Sequence, residues 1–195
     1  MAALVETAGT VAAPVITIET ETPADIAERE ALLDRVMGPA RFTKSSESLR
    51  RGMLPAEGLA FVARDAVGAI VGTIRLWNIS AGIDAEGQPV PALLLGPLAI
   101  DRAVAGMGIG SALMRHAIGE ARRLCHRAIL LVGDAPYYAR FGFSAERTAL
   151  LTMPGPFERG RFLALEIENG ALDRAVGVLF ATGERQFEGG LQAGA

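Results

Sequence analysis

Three glycines spaced two apart, Gly106, Gly108 and Gly110, with Ser111 directly after them, are the residues of this sequence best suited to chemistry. Glycine lacks a Cβ, so the segment can turn tightly and let a ligand approach the main chain. A helical pattern begins at Ile109. The first amides of a helix have no intrahelical acceptor, and the dipole adds partial positive charge at that end. The main chain of Gly106, Met107, Gly108, Ile109, Gly110 and Ser111 therefore suits an anion such as a pyrophosphate. A purely structural turn is the competing reading. A Walker A loop is excluded, because it needs a lysine after its last glycine and the only lysine of the chain is Lys44. A dinucleotide fingerprint stays open: Ser111 stands where a third glycine is usual, and Asp134 lies near the distance of the ribose-binding acid.

The elements around this loop must hold it between a strand and a helix. Residues 92–100 are apolar and read as a strand, and residues 109–124 place Ile109, Leu113, Ala117, Ala121 and Leu124 on one helical face. Residues 128–132 are wholly apolar, as in a strand buried on both faces. Strand, crossover helix and strand make a parallel pair. Gly96-Pro97 interrupts the first strand, since proline offers no N–H to a ladder, and the sheet is expected to splay there. Upstream, residues 15–19 are β-branched and predict a strand. Thr22, Pro23 and Asp25 then open a helix on which Ile26, Glu30, Leu33 and Met37 recur, and Gly38-Pro39 closes it. A short helix is expected over 45–51, an antiparallel pair over 59–64 and 69–77, and a polar connection over 81–91. Downstream come a short helix over 137–140, a strand at Phe143 and a strand over 161–167. The expected fold is α+β: a mixed, mostly antiparallel sheet with a central splayed parallel pair, flanked by helices.

Two stretches carry a family resemblance. Leu98-Ala-Ile100-Asp-Arg-Ala-Val-Ala-Gly106-Met-Gly108-Ile-Gly110-Ser111 resembles the strand, Gln/Arg-x-x-Gly-x-Gly loop and helix of the GNAT acetyltransferases. Tyr138-Ala-Arg-Phe-Gly142-Phe143 resembles their Tyr-x-x-x-Gly-Phe element, in the same order and spacing. The segments around Leu95–Ile100 and Val132–Tyr138 are similar to a bacterial subgroup of N-acetyltransferases without assigned acceptors. The resemblance is close over 93–143 and loose over 15–167. It implies acetyl-CoA as co-substrate, bound by the backbone of Leu98, Ala99 and Ile100 along its pantetheine and by the Gly106–Ser111 loop at its pyrophosphate. It also implies that Tyr138 stands by the thioester sulfur and protonates the departing thiolate, which a tyrosine, protonated at neutral pH, is able to do. One departure is Ala105, where the family has Gln or Arg. Arg102 lies three residues upstream and reads as a compensating phosphate ligand or as a solvated surface arginine.

The acceptor side is less marked. A base is needed to take a proton from an amine, and Asp134 is the best-placed carboxylate, with capping of the following helix as its alternative role. Asp84 and Glu86 are more distant candidates. Phe42, Arg75, Trp77 and Asn78 are candidate acceptor contacts, and the loop 153–157 a further wall. The implied activity is transfer of acetyl from acetyl-CoA to a primary amine of a small molecule or peptide by direct attack. Its rivals are a non-catalytic acyl-CoA-binding module of the same fold and the dinucleotide oxidoreductase.

Bulk properties narrow the setting. A chain of 195 residues with net charge −3 suits one domain over 14–195, preceded by a disordered leader over 1–13, and gives no electrostatic ground for a nucleic-acid partner. Cys125 is the only cysteine, so no intramolecular disulfide is expected and the address reads as cytoplasmic, while the resemblance implies a bacterial enzyme. No apolar run reaches the roughly 18 residues of a membrane span. His116, His126 and Cys125 have no metal-ligand spacing, so no metal is expected. A homodimer is left open.

Overall fold

The structure is a computed structural model that describes residues 15–186; the leader expected over 1–13 lies outside them. In chain order the elements are β1 (Thr17–Thr20), α1 (Ile26–Met37), β2 (Ala60–Arg64), β3 (Ile70–Ile83), β4 (Pro89–Ile100), α2 (Ile109–Arg123), β5 (Ala128–Val132), α3 (Ala135–Ala139), β6 (Leu151–Thr152), β7 (Phe162–Glu166), β8 (Gly177–Val178) and β9 (Phe180–Ala181). The main sheet runs β1-β2-β3-β4-β5-β7, and β9 adds to β3. Only β4 and β5 in it are parallel. The two short strands β6 and β8 form a separate parallel pair. This is the α+β mixed sheet that the apolar patterning predicts, with the parallel pair in its middle.

The βαβ unit forms for local reasons. The whole of β5 is apolar and all but its last residue is buried. Helix α2 buries Ile109, Leu113, Met114, Ala117, Ile118 and Ala121, the spacing of one helical face. That face packs on Phe61, Ile74, Leu76, Leu93, Ile129 and Leu131. The opposite face of the sheet carries Trp77, Ile79, Leu94, Leu130 and Phe162 in a second cluster. Leu124, expected on the inner face, follows the last helical turn and is 37% exposed.

Four expectations are corrected. The polar connection over 81–91 shrinks, because β3 runs to Ile83 and β4 starts at Pro89. The Asp84 carboxylate closes the remaining turn by accepting from the N–H groups of Glu86 and Gln88 at 3.0 and 2.7 Å. The extension holds because Ile79 and Ser80 also pair with β9, and Ile83 with Val176. The strand at Phe143 is a single bridge from Ser144 to Ala164, although the Phe143 side chain is buried. The short helix over 45–51 is one 3-10 turn at Ser45–Glu47. The buried stripe of α1 is rotated: Arg29, Leu32 and Leu33 are inside, while Ile26 is 45% exposed. Arg29 goes inward because it meets Glu21 at 2.9 Å, and Glu21 in turn accepts from Nε of Arg75 at 2.7 Å. Burial raises the Glu21 carboxyl above its usual range, and the Arg75 hydrogen bond opposes that. A buried charge needs such partners to be tolerated.

Candidate active site

The site begins where β4 leaves β5. Their parallel ladder pairs Leu93 with Ile129 and Leu94 with Leu130, and among the described residues it stops there. On the other side, Leu76 pairs with Leu95 but Ile74 with Leu98, so β4 carries one extra residue, a bulge at Gly96-Pro97. The indole N–H of Trp77 donates to the Gly96 carbonyl and holds the bulge. Beyond it, the Asp101 N–H donates to the Val71 carbonyl at 2.8 Å. That bond sets the phase of an antiparallel ladder, in which hydrogen-bonded and non-hydrogen-bonded pairs alternate. Ala99 and Thr73 form the next hydrogen-bonded pair, so the ladder uses the polar groups of Ala99. The N–H and C=O groups of Leu98 and Ile100 face away from β3, into the gap that β5 leaves.

The glycine loop lies at the same end of β4. Gly106 and Gly108 have φ of +83° and +80°, which favours residues without a Cβ. The Met107 N–H bends back to the Val104 carbonyl, and Ala112 is the first residue to donate to Gly108. Among the described residues, the N–H groups of Gly108, Ile109, Gly110 and Ser111 have no backbone acceptor. Gly110 is needed for a different reason: a Cβ on it would come within 3.0 Å of the Tyr137 hydroxyl. Tyr137, with no role expected from the sequence, thus sits against this helix start.

Tyr138 faces the other way, into a cleft of about 470 Å³. The Cε2 edge of its ring abuts Gly133, where a Cβ would meet Cε2 at 2.2 Å. Burial, aided by the neighbouring Tyr137, pushes its phenol up to about 12. It is therefore protonated at every physiological pH. The residues Leu95, Gly96, Pro97, Leu98, Leu131 and Val132 surround it, so the cleft opens onto the splay of β4 and β5.

The cleft's outer walls come from α1, from residues 41–55 and from β3. Phe42, Arg75 and Trp77 line it together, whereas Asn78 does not. Strand alternation sends Arg75 and Trp77 to one face and Asn78 to the other, where it meets His126 and Arg127 in a smaller cleft. Asp134 is exposed and outside the main cleft; its backbone carbonyl accepts from Tyr137 and Tyr138, but its side chain caps nothing. None of the loop 153–157 lines the cleft, and Met153 and Phe157 pack in the second core cluster. Asp84 is consumed by its turn.

Cations dominate the walls, and of these the sequence pointed only to Arg75. Arg29, Arg41, Lys44, Arg50, Arg51 and Arg75 all line the cleft, against the carboxylates of Glu30 and Glu47. Both carboxylates are paired, Glu30 with Arg29 and Arg41 at 2.7 and 2.6 Å, and Glu47 with Arg50 at 3.0 Å. No motif in the sequence marks Arg29, Arg41, Arg50 or Arg51 as lining a site. Among the described residues there is no cluster suited to a metal, and no helix long and apolar enough to cross a membrane.

Comparison with known proteins fits this geometry. Residues 56–145 match the family model described as Acetyltransferase (GNAT) domain, which spans the bulge, the glycine loop and Tyr138. The uncharacterized N-acetyltransferase YhbS of Escherichia coli K12 is 25% identical over 162 residues, or 83% of this chain and 93% of that protein. The crystal structure of the E. coli GNAT family N-acetyltransferase YhbS in complex with CoA superposes with a TM-score of 0.72, covering 89% of this chain and 93% of that one. A GNAT family acetyltransferase from Brucella melitensis in complex with acetyl-CoA, also 25% identical, gives 0.53 over 78% of this chain and 88% of its own.

Proposed function

We propose, from the premise that this chain carries a GNAT acetyltransferase domain and is homologous to YhbS and other bacterial GNAT proteins, that it transfers acetyl from acetyl-CoA to a primary amine. One observation supports this above the others: the unpaired strand edge of Leu98 and Ile100 lies between the four free amides at 108–111 and the hydroxyl-bearing wall of Tyr138. A pantetheine arm carries amide groups, and that edge offers N–H and C=O groups to bind them as an added strand would. The free amides at the start of α2 suit the pyrophosphate.

Acetyl-CoA supplies an activated acetyl group as its thioester. The acceptor, as a free amine, attacks the thioester carbonyl from the cleft; the C–S bond breaks, the amine loses a proton and the sulfur gains one. On this reading the sulfur lies on the side of the cleft that Tyr138 lines. A phenol near 12 is a weaker acid than a thiol, whose ordinary pKa is about 8.5. Tyr138 therefore acts by donating a hydrogen bond to the sulfur as charge develops on it, more than by giving its proton away. The amine's proton leaves through water, since both carboxylates of the cleft are committed to arginines and Asp134 lies outside it. A cytosolic setting agrees with acetyl-CoA as co-substrate.

The test is titration calorimetry with acetyl-CoA, followed by release of free CoA thiol on adding amines. Binding without NADH or NADPH competition, and thiol release with at least one amine, is the expected result. Binding of a nicotinamide dinucleotide in place of acetyl-CoA would sink the reading. Ala105 gives a graded check. It is exposed beside the free amides and has no polar side chain, so Ala105→Arg should tighten acetyl-CoA by about fivefold, as an exposed ion pair near 1 kcal/mol allows. Unchanged affinity would place position 105 away from the phosphates.

A further inference from the structure

Resting on the acetyl-transfer reading, the geometry points to an acceptor amine that also carries an anionic oxygen group, a carboxylate or a phosphate, held by Arg50. The Arg50 side chain is only 9% exposed although it lines the cleft. Its Nη2 meets Glu47 at 3.0 Å, but its Nε, like that of Arg29, is buried with no hydrogen-bond partner among the described residues. A buried donor left unmade is costly, and proteins rarely keep one without a use. Burial lowers the Arg50 pKa, with Glu47 opposing it, which is the behaviour of a guanidinium short of negative partners.

The position of the group fits a substrate contact. Arg50 Nη1 lies 3.7 Å from where a Cβ on Gly96 would stand, so the guanidinium hangs over the bulge next to the splay. Tyr138 borders the same space. An acceptor whose nitrogen reaches the thioester there can present a second, anionic end to Arg50. Guanidinium is the side chain best shaped for carboxylate or phosphate, through two parallel N–H donors. Lys44 and Arg51 at the exposed rim have the charge to draw such an acceptor in. Glu47 neutralises part of Arg50, so a polyamine or another purely cationic amine gains nothing here. The cleft volume suits a small molecule.

The experiment uses the whole chain saturated with CoA. It titrates ω-amino acids of increasing length against their carboxamides, and aminoalkyl phosphates against aminoalkanols. At least one acid should bind about tenfold tighter than its uncharged partner, the scale of a charge-assisted hydrogen bond. The two series separate carboxylate from phosphate. Arg50→Gln should abolish the preference and Arg50→Lys retain part of it, with the thermal midpoint reporting that each variant is folded. Equal binding of charged and uncharged partners by the unsubstituted protein, or a preference that survives Arg50→Gln, overturns the inference. Thiol release is read in parallel from acetyl-CoA. Release with acids and amides alike defeats the inference but keeps the transfer reading. Selective binding of acids without any release does the reverse.

Discussion

Replacing Tyr138 with phenylalanine is expected to lower kcat for acetyl transfer by about 10² to 10³, within the range of one positioned donor at a leaving group. The packing that holds the ring should survive: it rests on Gly133 and stands edge-on to Tyr137 and Phe143, and none of those contacts uses the hydroxyl. Affinity for acetyl-CoA should change little, because the proposed binding groups are the strand edge and the loop amides. The rate profile carries a second signature. The phenol is raised, so its protonated form persists as pH rises until about 12. No alkaline loss of activity below roughly pH 10 should therefore disappear in the phenylalanine variant. Full turnover by Tyr138→Phe would reduce Tyr138 to a packing residue.

A carboxylate placed among the free amides should have the opposite pattern. Ser111 is the third residue of α2, and its N–H has no backbone acceptor. Ser111→Asp puts a negative charge where a pyrophosphate would sit. At about 4 Å and an effective dielectric near 20 such a repulsion reaches about 4 kcal/mol, and solvent screening lowers it. We expect acetyl-CoA affinity to fall about a hundredfold by calorimetry. The free protein should be no less stable, because an acidic residue in the first turn favours the helix. Loss of affinity with unchanged or raised thermal midpoint is the diagnostic pair; equal affinity would move the phosphates elsewhere.

What the sequence made legible was what local pattern controls. The βαβ unit shows in the apolar run of β5, the helical stripe of α2 and the glycines before it, and all three are contiguous. The loop chemistry is main-chain chemistry, so Gly106–Ser111 could be read with no side-chain geometry. The length of β3 could not, because Ile79 and Ser80 are held by β9, a hundred residues away. The rotated face of α1 depends on Glu21 and Arg75, two residues outside the helix. Arg50 carries no sequence signal, because its burial beside Gly96 comes from a contact between distant segments. Asn78 was different: strand alternation by itself separates it from Arg75 and Trp77, so that grouping was avoidable. Asp134 was favoured as the carboxylate at the end of the parallel strand, but its side chain is exposed outside the cleft that Tyr138 lines.

Lys44, the chain's only lysine, stands exposed at the rim of the cleft. Every ε-amine of the protein is therefore at the one place where an acyl group would be delivered. Amine-directed labels acquire a single side-chain address, and the mass added by one such label becomes a direct count of clefts left uncovered. The same fact bounds self-modification: an acetyl group that strays onto the protein's own lysine can land only at the rim of this cleft.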